Sequence, residues 1–115
     1  MSASPIPGIE LRYEVRPDDV AAVRRIVEST GFFYPAEVDV AVELVEERLK
    51  RWDASGYHFV FADRNGRTIG YTCYGPIACT LASYDLYWIA LDAAERGLGL
   101  GRALQCVTED LIARR

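Results

Sequence analysis

The sequence has little of what marks several classes of protein. It has one histidine and three cysteines in 115 residues, and no C-x-x-C pair that would suggest a zinc or redox site. Acidic residues exceed basic ones, giving a formal net charge of −4, so no basic surface favours nucleic acid or anionic lipid. No apolar run approaches the ~20 residues of a membrane span, and the N-terminus lacks a signal-peptide pattern. We expect a cytoplasmic protein without a nucleic-acid, membrane or metal partner.

The remaining composition is that of a folded domain. Half of the residues are hydrophobic and 26% are charged, which is ordinary for a chain that buries one core. Cys73, Cys79 and Cys106 are far apart and odd in number, so we predict buried, reduced thiols rather than a disulfide framework.

Hydrophobic periodicity predicts a strand and two helices in the first half of the chain. Ile9 to Arg16 alternates between apolar and polar residues, as a strand with one solvated face does. The next segment is a helix that Asp18 or Asp19 can cap and that Gly31 closes. From Val38 to Trp52 an apolar stripe recurs at a period of 3.6 residues, which predicts the second helix.

Three strands and a helix are predicted in the second half. Tyr57 to Asp63 and Thr68 to Tyr74 are rich in aromatic and β-branched residues, and Asn65-Gly66 between them predicts a tight antiparallel hairpin. Tyr84 to Leu91 predicts a fourth strand, whose continuous apolar second half indicates burial on both faces. Helical spacing from Gly99 onward predicts a last helix. The predicted fold is α+β, in the order β-α-α-β-β-β-α.

The segment between the fourth strand and the last helix carries alternate glycines, Gly97, Gly99 and Gly101. Glycines before a helix let backbone N–H groups converge at the positive end of the helix dipole, where a pyrophosphate binds. The dinucleotide fingerprint G-x-G-x-x-G would need glycine at the position of Arg102, and the lysine and hydroxyl residue of a P-loop are absent. Neither of these two phosphate-binding loops fits.

The run Arg96-Gly97-Leu98-Gly99-Leu100-Gly101 resembles the signature of the GNAT superfamily of N-acetyltransferases: Gln or Arg, two residues, Gly, one residue, then Gly or Ala. Tyr87 to Leu91 is similar to that family's fourth strand, and the order of elements agrees over essentially the whole chain. The resemblance implies a GNAT-like mixed sheet. It also implies direct transfer of an acetyl group from acetyl-CoA, as co-substrate, to a primary amine in a ternary complex. The acceptor would be a small molecule or a peptide amine.

The resemblance further implies which residues contact the co-substrate. Backbone groups of Ile89 and Leu91 would meet the thioester and the pantetheine arm, since unpaired N–H groups of a strand can bind an extended ligand as a sheet edge binds a peptide. The turn that would cradle the pyrophosphate consists of Arg96, Gly97, Leu98, Gly99, Leu100, Gly101 and Arg102. Phe33 and Tyr34, between the first two helices, lie where the family usually builds its acceptor pocket.

Asp85 is the candidate general base, because an amine must be deprotonated before it attacks an acyl group. Part of the family has a catalytic glutamate six residues before the position of Leu91, which is the position of Asp85. Alternation would place Asp85, Tyr87, Ile89 and Leu91 on one face of the strand unless a bulge intervenes. The alternative is a structural carboxylate near the start of the strand. Tyr87 either lines the amine channel or fills the core.

The family's usual fold continues beyond the last helix with a fifth strand, a fourth helix and a hairpin. We therefore expect residues 1–115 to be a single partial GNAT domain whose C-terminal strands are missing. Leu104, Val107 and Leu111 would then be partly uncovered, and copies of the chain would associate through the exposed sheet edge. The alternative to an enzyme is a non-catalytic acyl-CoA-binding fragment, or a half-domain that a partner chain completes.

Overall fold

The computed structural model describes residues 8–76, 84–95 and 99–114, and the elements follow the predicted order. The strands and helices are β1 Glu10–Arg12, α1 Asp19–Thr30, α2 Pro35–Arg51, β2 His58–Arg64, β3 Arg67–Pro76, β4 Tyr84–Leu91 and α3 Leu100–Ala113. Short 3₁₀ turns follow α2 at Trp52–Ser55 and β4 at Ala93–Glu95. The predicted α+β order is confirmed.

The described strands form one sheet in the order β1-β2-β3-β4, and all of their pairings are antiparallel. The parallel part of the expected mixed sheet is therefore not among these strands. Asn65 and Gly66 have φ values of 53° and 80°, which are the left-handed conformations of a two-residue hairpin turn. The predicted β2–β3 hairpin is confirmed.

Helices cover both faces of the sheet. Residues of α1 and α2, such as Ile26 and Val45, pack with Phe59, Phe61 and Tyr71 in one buried cluster. On the opposite face, α3 contributes Leu100 and Leu104 to a second buried cluster with residues of β2 and β3. Because side chains alternate along a strand, β2 supplies Phe59 and Phe61 to the first cluster and Val60 and Ala62 to the second. No helix in the described ranges is long and apolar enough to cross a bilayer.

Several expectations about burial are wrong. Leu104 is fully buried, because α3 lies directly against the sheet, whereas Val107 and Leu111 are half-buried as expected. Cys73 is buried as predicted, but Cys106 is exposed because it lies on the solvent side of α3. Cys79 lies outside the described residues.

Two of the predicted strands also differ from the structure, one in its length and the other in its burial. The first strand is shorter than the sequence suggests, since its pairing with β2 is confined to Glu10–Arg12. The second half of β4 is not buried on both faces: Ile89 is 37% exposed, and β4 is an edge strand among the described strands.

A buried ion cluster explains why the chain leaves the sheet after Arg12. The guanidinium of Arg12 donates to both carboxylate oxygens of Asp19 at 2.8 Å and to Asp63 Oδ2 at 2.9 Å. It also lies 4.5 Å from the centre of the Phe61 ring. Asp19 additionally accepts the N–H of Arg16 at 2.7 Å. Asp19 is thus used to hold the connection, and neither Asp18 nor Asp19 caps α1 with its side chain.

Burial alone would lower the pKa of Arg12, but its hydrogen bonds and the charges of Asp19 and Asp63 outweigh that effect and raise its pKa above the ordinary value. For Asp63, burial acts to raise the pKa, but the hydrogen bonds from Arg12 and Thr68 prevail and lower it. Arg12 and Asp63 are therefore both charged at neutral pH. It joins β1, β2 and the start of α1.

Candidate functional site

The end of β4 presents different residues to the two faces of the sheet. Ala90 is buried in the cluster that contains α1 and α2, and Trp88 packs against it. Leu91 packs against the cluster that contains α3. Ile89 pairs with Thr72 and is partly exposed. The strand thus offers a partly open surface at the two positions expected to meet the thioester and pantetheine.

A bulge interrupts β4 one residue before Trp88. Cys73 pairs with Trp88, whereas Tyr74 pairs with Leu86, so Tyr87 is the extra residue. Because of this extra residue, the side chains do not alternate regularly between the two faces of the sheet from Asp85 to Leu91. Alternation therefore no longer supports the expectation that Asp85 and Leu91 share a face. A bulge also leaves a residue outside the ladder hydrogen bonds.

The side chain of Leu91 lies between two glycines, one in β3 and one in α3. A Cβ atom on Gly70 would stand 2.6 Å from Leu91 Cδ2, and one on Gly101 would stand 3.2 Å from Leu91 Cδ1. Real Cβ atoms essentially never come as close as 2.6 Å, so Gly70 depends on the absence of a side chain, whereas a Cβ at Gly101 would require Leu91 to shift by a few tenths of an ångström. Leu91 thereby fixes the first turn of α3 against the end of β4.

The start of α3 is an open backbone surface. Gly99 has φ 77° and is exposed, and no heavy atom lies within 4 Å of where its Cβ would stand. Its carbonyl accepts the N–H of Ala103 at 3.1 Å, and no side chain of the described residues caps the helix. Helix geometry leaves the N–H groups of the first turn without intrahelical partners. Together with the helix dipole, they favour an anion at this end.

The turn after β4 is tied to three other elements. The N–H of Asp92 donates to Ile69 O at 2.8 Å, and Asp92 Oδ1 accepts the N–H of Ala94 at 3.1 Å. The N–H of Ala93 donates to Ser29 Oγ, at the end of α1, at 3.1 Å.

Arginines from the β2–β3 hairpin complete these ties. Arg67 Nη2 lies 3.3 Å from Asp92 Oδ2, and Arg64 forms an ion pair with Glu95. The turn that leads from β4 towards α3 is therefore held by side chains of the hairpin and of α1, as well as by the backbone of β3.

The loop between α1 and α2 reaches β4. The rings of Phe33 and Trp88 are 5.1 Å apart, whereas Phe32 and Tyr34 are 75% and 77% exposed. The N–H of Tyr34 donates to Glu37 Oε1 at 2.9 Å, which fixes the start of α2. Phe33 thus contacts β4, and its two aromatic neighbours are exposed to solvent.

Two polar groups of β3 beside β4 are unsuited to act as bases. Burial raises the pKa of the Tyr71 hydroxyl and of the Cys73 thiol above their ordinary ranges. Both pair with β4, with Ala90 and Trp88 respectively. They remain protonated at neutral pH, and a thiol is a weak nucleophile unless it is ionised.

The structure brings part of the predicted site together. Leu91 lies beside the first turn of α3, in which Leu100 is buried and Arg102 is exposed, and Ile89 lies two residues earlier in the same strand. The backbone of Asp85 and Tyr87 belongs to β4, but the placement of their side chains is not described, and Arg96, Gly97 and Leu98 lie outside the described residues.

Sequence reasoning overlooked Trp88 and Gly70. Trp88 follows the predicted site residue Tyr87, and its signal was that of a large aromatic residue in an apolar strand. Gly70 had a signal too, because a glycine inside a strand marks a close approach of another group.

Comparison with known proteins gives consistent results. The model of the acetyltransferase (GNAT) family matches residues 14–111. The mycothiol acetyltransferase of Mycolicibacterium paratuberculosis is 29% identical over 120 residues, an alignment that covers 99% of this chain and 38% of that protein. This chain therefore spans about two fifths of the length of that curated relative.

Solved structures show the same fold. A GNAT-family protein from Desulfovibrio desulfuricans is 50% identical with a TM-score of 0.88, covering 91% of this chain and 66% of its own. A GNAT-family acetyltransferase from Brucella melitensis, solved in complex with acetyl-CoA, superposes with a TM-score of 0.68 at 20% identity, covering 91% of this chain and 68% of that one.

Proposed function

Because this chain belongs to the acetyltransferase (GNAT) family, we propose that it is an N-acetyltransferase domain that binds acetyl-CoA and transfers the acetyl group to a primary amine. The proposal rests on the junction at Leu91, where the partly open end of β4 meets the uncapped start of α3. Residues 1–115 would form a single, partial domain of this family. The acceptor is a small-molecule or peptide amine, attacking directly in a ternary complex.

The residues at the start of α3 fit a pyrophosphate. Backbone N–H groups of Leu100, Gly101 and Arg102 belong to the first helical turn, and the space where a Cβ of Gly99 would stand is open. The exposed Arg102 adds a positive charge beside them. Arg96, Gly97 and Leu98 would complete the cradle. The co-substrate supplies an activated thioester when it is bound.

The end of β4 fits the extended pantetheine arm. Ile89 is partly exposed, and Leu91 is anchored between Gly70 and Gly101. Backbone groups of Ile89 and Leu91 would hydrogen-bond the arm as a sheet edge binds a peptide. The fixed contact of Leu91 with α3 supports a constant distance between the arm and the pyrophosphate, which favours a productive orientation of the reacting carbonyl.

The acceptor would approach from the loop between α1 and α2. We assign Phe33 and Tyr34 to the acceptor pocket, with Tyr87 lining the amine channel. The contact between Phe33 and Trp88 supports this assignment because it holds the loop against β4. Asp85 would take a proton from the acceptor ammonium, so that its nitrogen lone pair becomes free to attack.

The test is CoA binding by wild type and by Gly99→Val, measured by calorimetry. A branched side chain at φ 77° is strained and would occupy the phosphate position. We expect wild type to bind and the variant to lose binding. Gly31→Val is the matched control, since Gly31 also has a positive φ of 71° and open space around its Cβ position.

Two outcomes would change the proposal. Unchanged CoA affinity in a folded Gly99→Val protein would refute the pyrophosphate assignment. If CoA binds but no acetyl transfer follows across a panel of amines, the alternative of a non-catalytic acyl-CoA-binding fragment, or a half-domain completed by a partner chain, replaces the enzyme.

A further inference from the structure

The β2–β3 hairpin ends with two arginines directly opposite each other. Arg64 and Arg67 are register partners that flank Asn65 and Gly66. Like charges at directly opposed positions destabilise a strand pair. The hairpin itself therefore gains nothing from this arrangement, and its charges are compensated by carboxylates of the turn after β4.

Both carboxylates are well covered. The side chain of Glu95 is 14% exposed and forms an ion pair with Arg64, and that of Asp92 is 11% exposed and lies 3.3 Å from Arg67. Charged groups removed from water require partners. The two pairs join the tip of the hairpin to the turn on opposite sides of Ala93 and Ala94.

We infer that Arg64 and Arg67 are positioning residues for co-substrate binding: they hold the Asp92–Glu95 turn so that the end of β4 and the start of α3 keep the spacing that CoA requires. The inference rests on the proposed function. The arginines also offset two negative charges in the connection between β4 and α3, where uncompensated carboxylates would repel an anionic ligand. Neither arginine is assigned a contact with the ligand.

The test compares CoA dissociation constants, measured by calorimetry, with unfolding midpoints in the absence of CoA. Arg64→Gln should raise the CoA dissociation constant about fivefold. This is the effect expected when one charge-assisted hydrogen bond between an arginine and a carboxylate is lost. The double variant Arg64→Glu with Glu95→Arg should recover most of the affinity, because it restores the pair with reversed charges. Arg24→Gln is the matched control: it breaks an ion pair of 3.2 Å between α1 and α2 and should leave CoA affinity unchanged.

The outcomes separate the inference from the proposed function. Absence of CoA binding by wild type refutes the proposed function, and the inference with it. If wild type binds and Arg64→Gln binds equally well, or if the charge-reversed pair is as weak as the single variant, the inference is refuted. A general structural role would lower the midpoints of Arg64→Gln and Arg24→Gln alike without a selective loss of CoA affinity. If Arg64→Gln does not fold, the charge-reversed variant still provides the comparison with wild type.

Discussion

Replacement of Arg12 by methionine should destabilise the fold strongly. Arg12 is 11% exposed in its side chain and is the cation shared by Asp19, which is 3% exposed, and Asp63. Methionine keeps much of the length of the side chain but leaves two covered carboxylates without a cation. Removing one member of a buried ion pair costs about 3 to 5 kcal/mol in the free energy of unfolding. For a domain of this size, that lowers the unfolding midpoint by about 12 to 20 °C.

The dependence of this effect on pH gives a sharper result. In wild type the lowered pKa of Asp63 contributes stability that is present above its ordinary pKa of about 4 and is lost as the pH falls through the lowered value. In Arg12→Met, Asp63 loses the hydrogen bond and the charge of Arg12 that lower its pKa, whereas burial still acts to raise that pKa. The variant should therefore gain stability as the pH is lowered from 7 towards 4.5, and the difference from wild type should shrink.

Urea unfolding at several pH values measures both effects. Arg114→Met is the matched control, since its ion pair with Asp110 is mostly exposed and should contribute at most about 1 kcal/mol. Adding Asp19→Asn and Asp63→Asn to Arg12→Met should recover part of the loss by removing the unpaired charges. If Arg12→Met costs no more than Arg114→Met, or becomes less stable on acidification from pH 7 to 4.5, the ion cluster does not hold this part of the fold.

Two other substitutions test the site. Asp85→Asn, in a preparation with transfer activity, should lower turnover roughly 10²-fold at neutral pH and leave CoA affinity unchanged. If steady-state kinetics show only a small loss of turnover, Asp85 is a structural carboxylate and not the general base. Gly70→Ala should cost about 1 to 3 kcal/mol in urea unfolding, because its Cβ would stand 2.6 Å from Leu91 Cδ2. Leu91→Val in the same chain should relieve part of that cost, and full additivity of the two changes would contradict the proposed contact.

Most of the fold could be predicted from local sequence signals. The hairpin at Asn65-Gly66 and the end of α1 at Gly31 depend on backbone conformations that few residues adopt, and the structure has both, with Gly31 at φ 71°. The stripe of α2 was equally clear, since its buried residues recur at helical spacing. Such signals act within a few residues and do not require knowledge of the tertiary structure.

The errors concern contacts between distant segments. The short length of β1 is associated with a contact between Arg12 and Asp63, which lies 51 residues further along the chain. No local sequence pattern reveals that contact. The bulge at Tyr87 depends on the register of β4 against β3. The exposure of Cys106 depends on which side of α3 meets the sheet. At the site, the glycine run identified the start of α3. The ion pairs of Arg64 and Arg67 could not be inferred, because their partners, Glu95 and Asp92, are more than 20 residues away in sequence.

The order of strands also distributes the entropic cost of folding unevenly. Strands β2 and β3 are joined by a two-residue turn, and β4 pairs with its predecessor along the chain, so these contacts close short segments. Strand β1 must instead find β2 across both α1 and α2, and the entropy lost in closing a segment grows with its length. Contacts that are close in sequence tend to form rapidly, whereas distant ones slow folding. We therefore expect the corner of the sheet where Arg12 meets Asp63 to form late in folding.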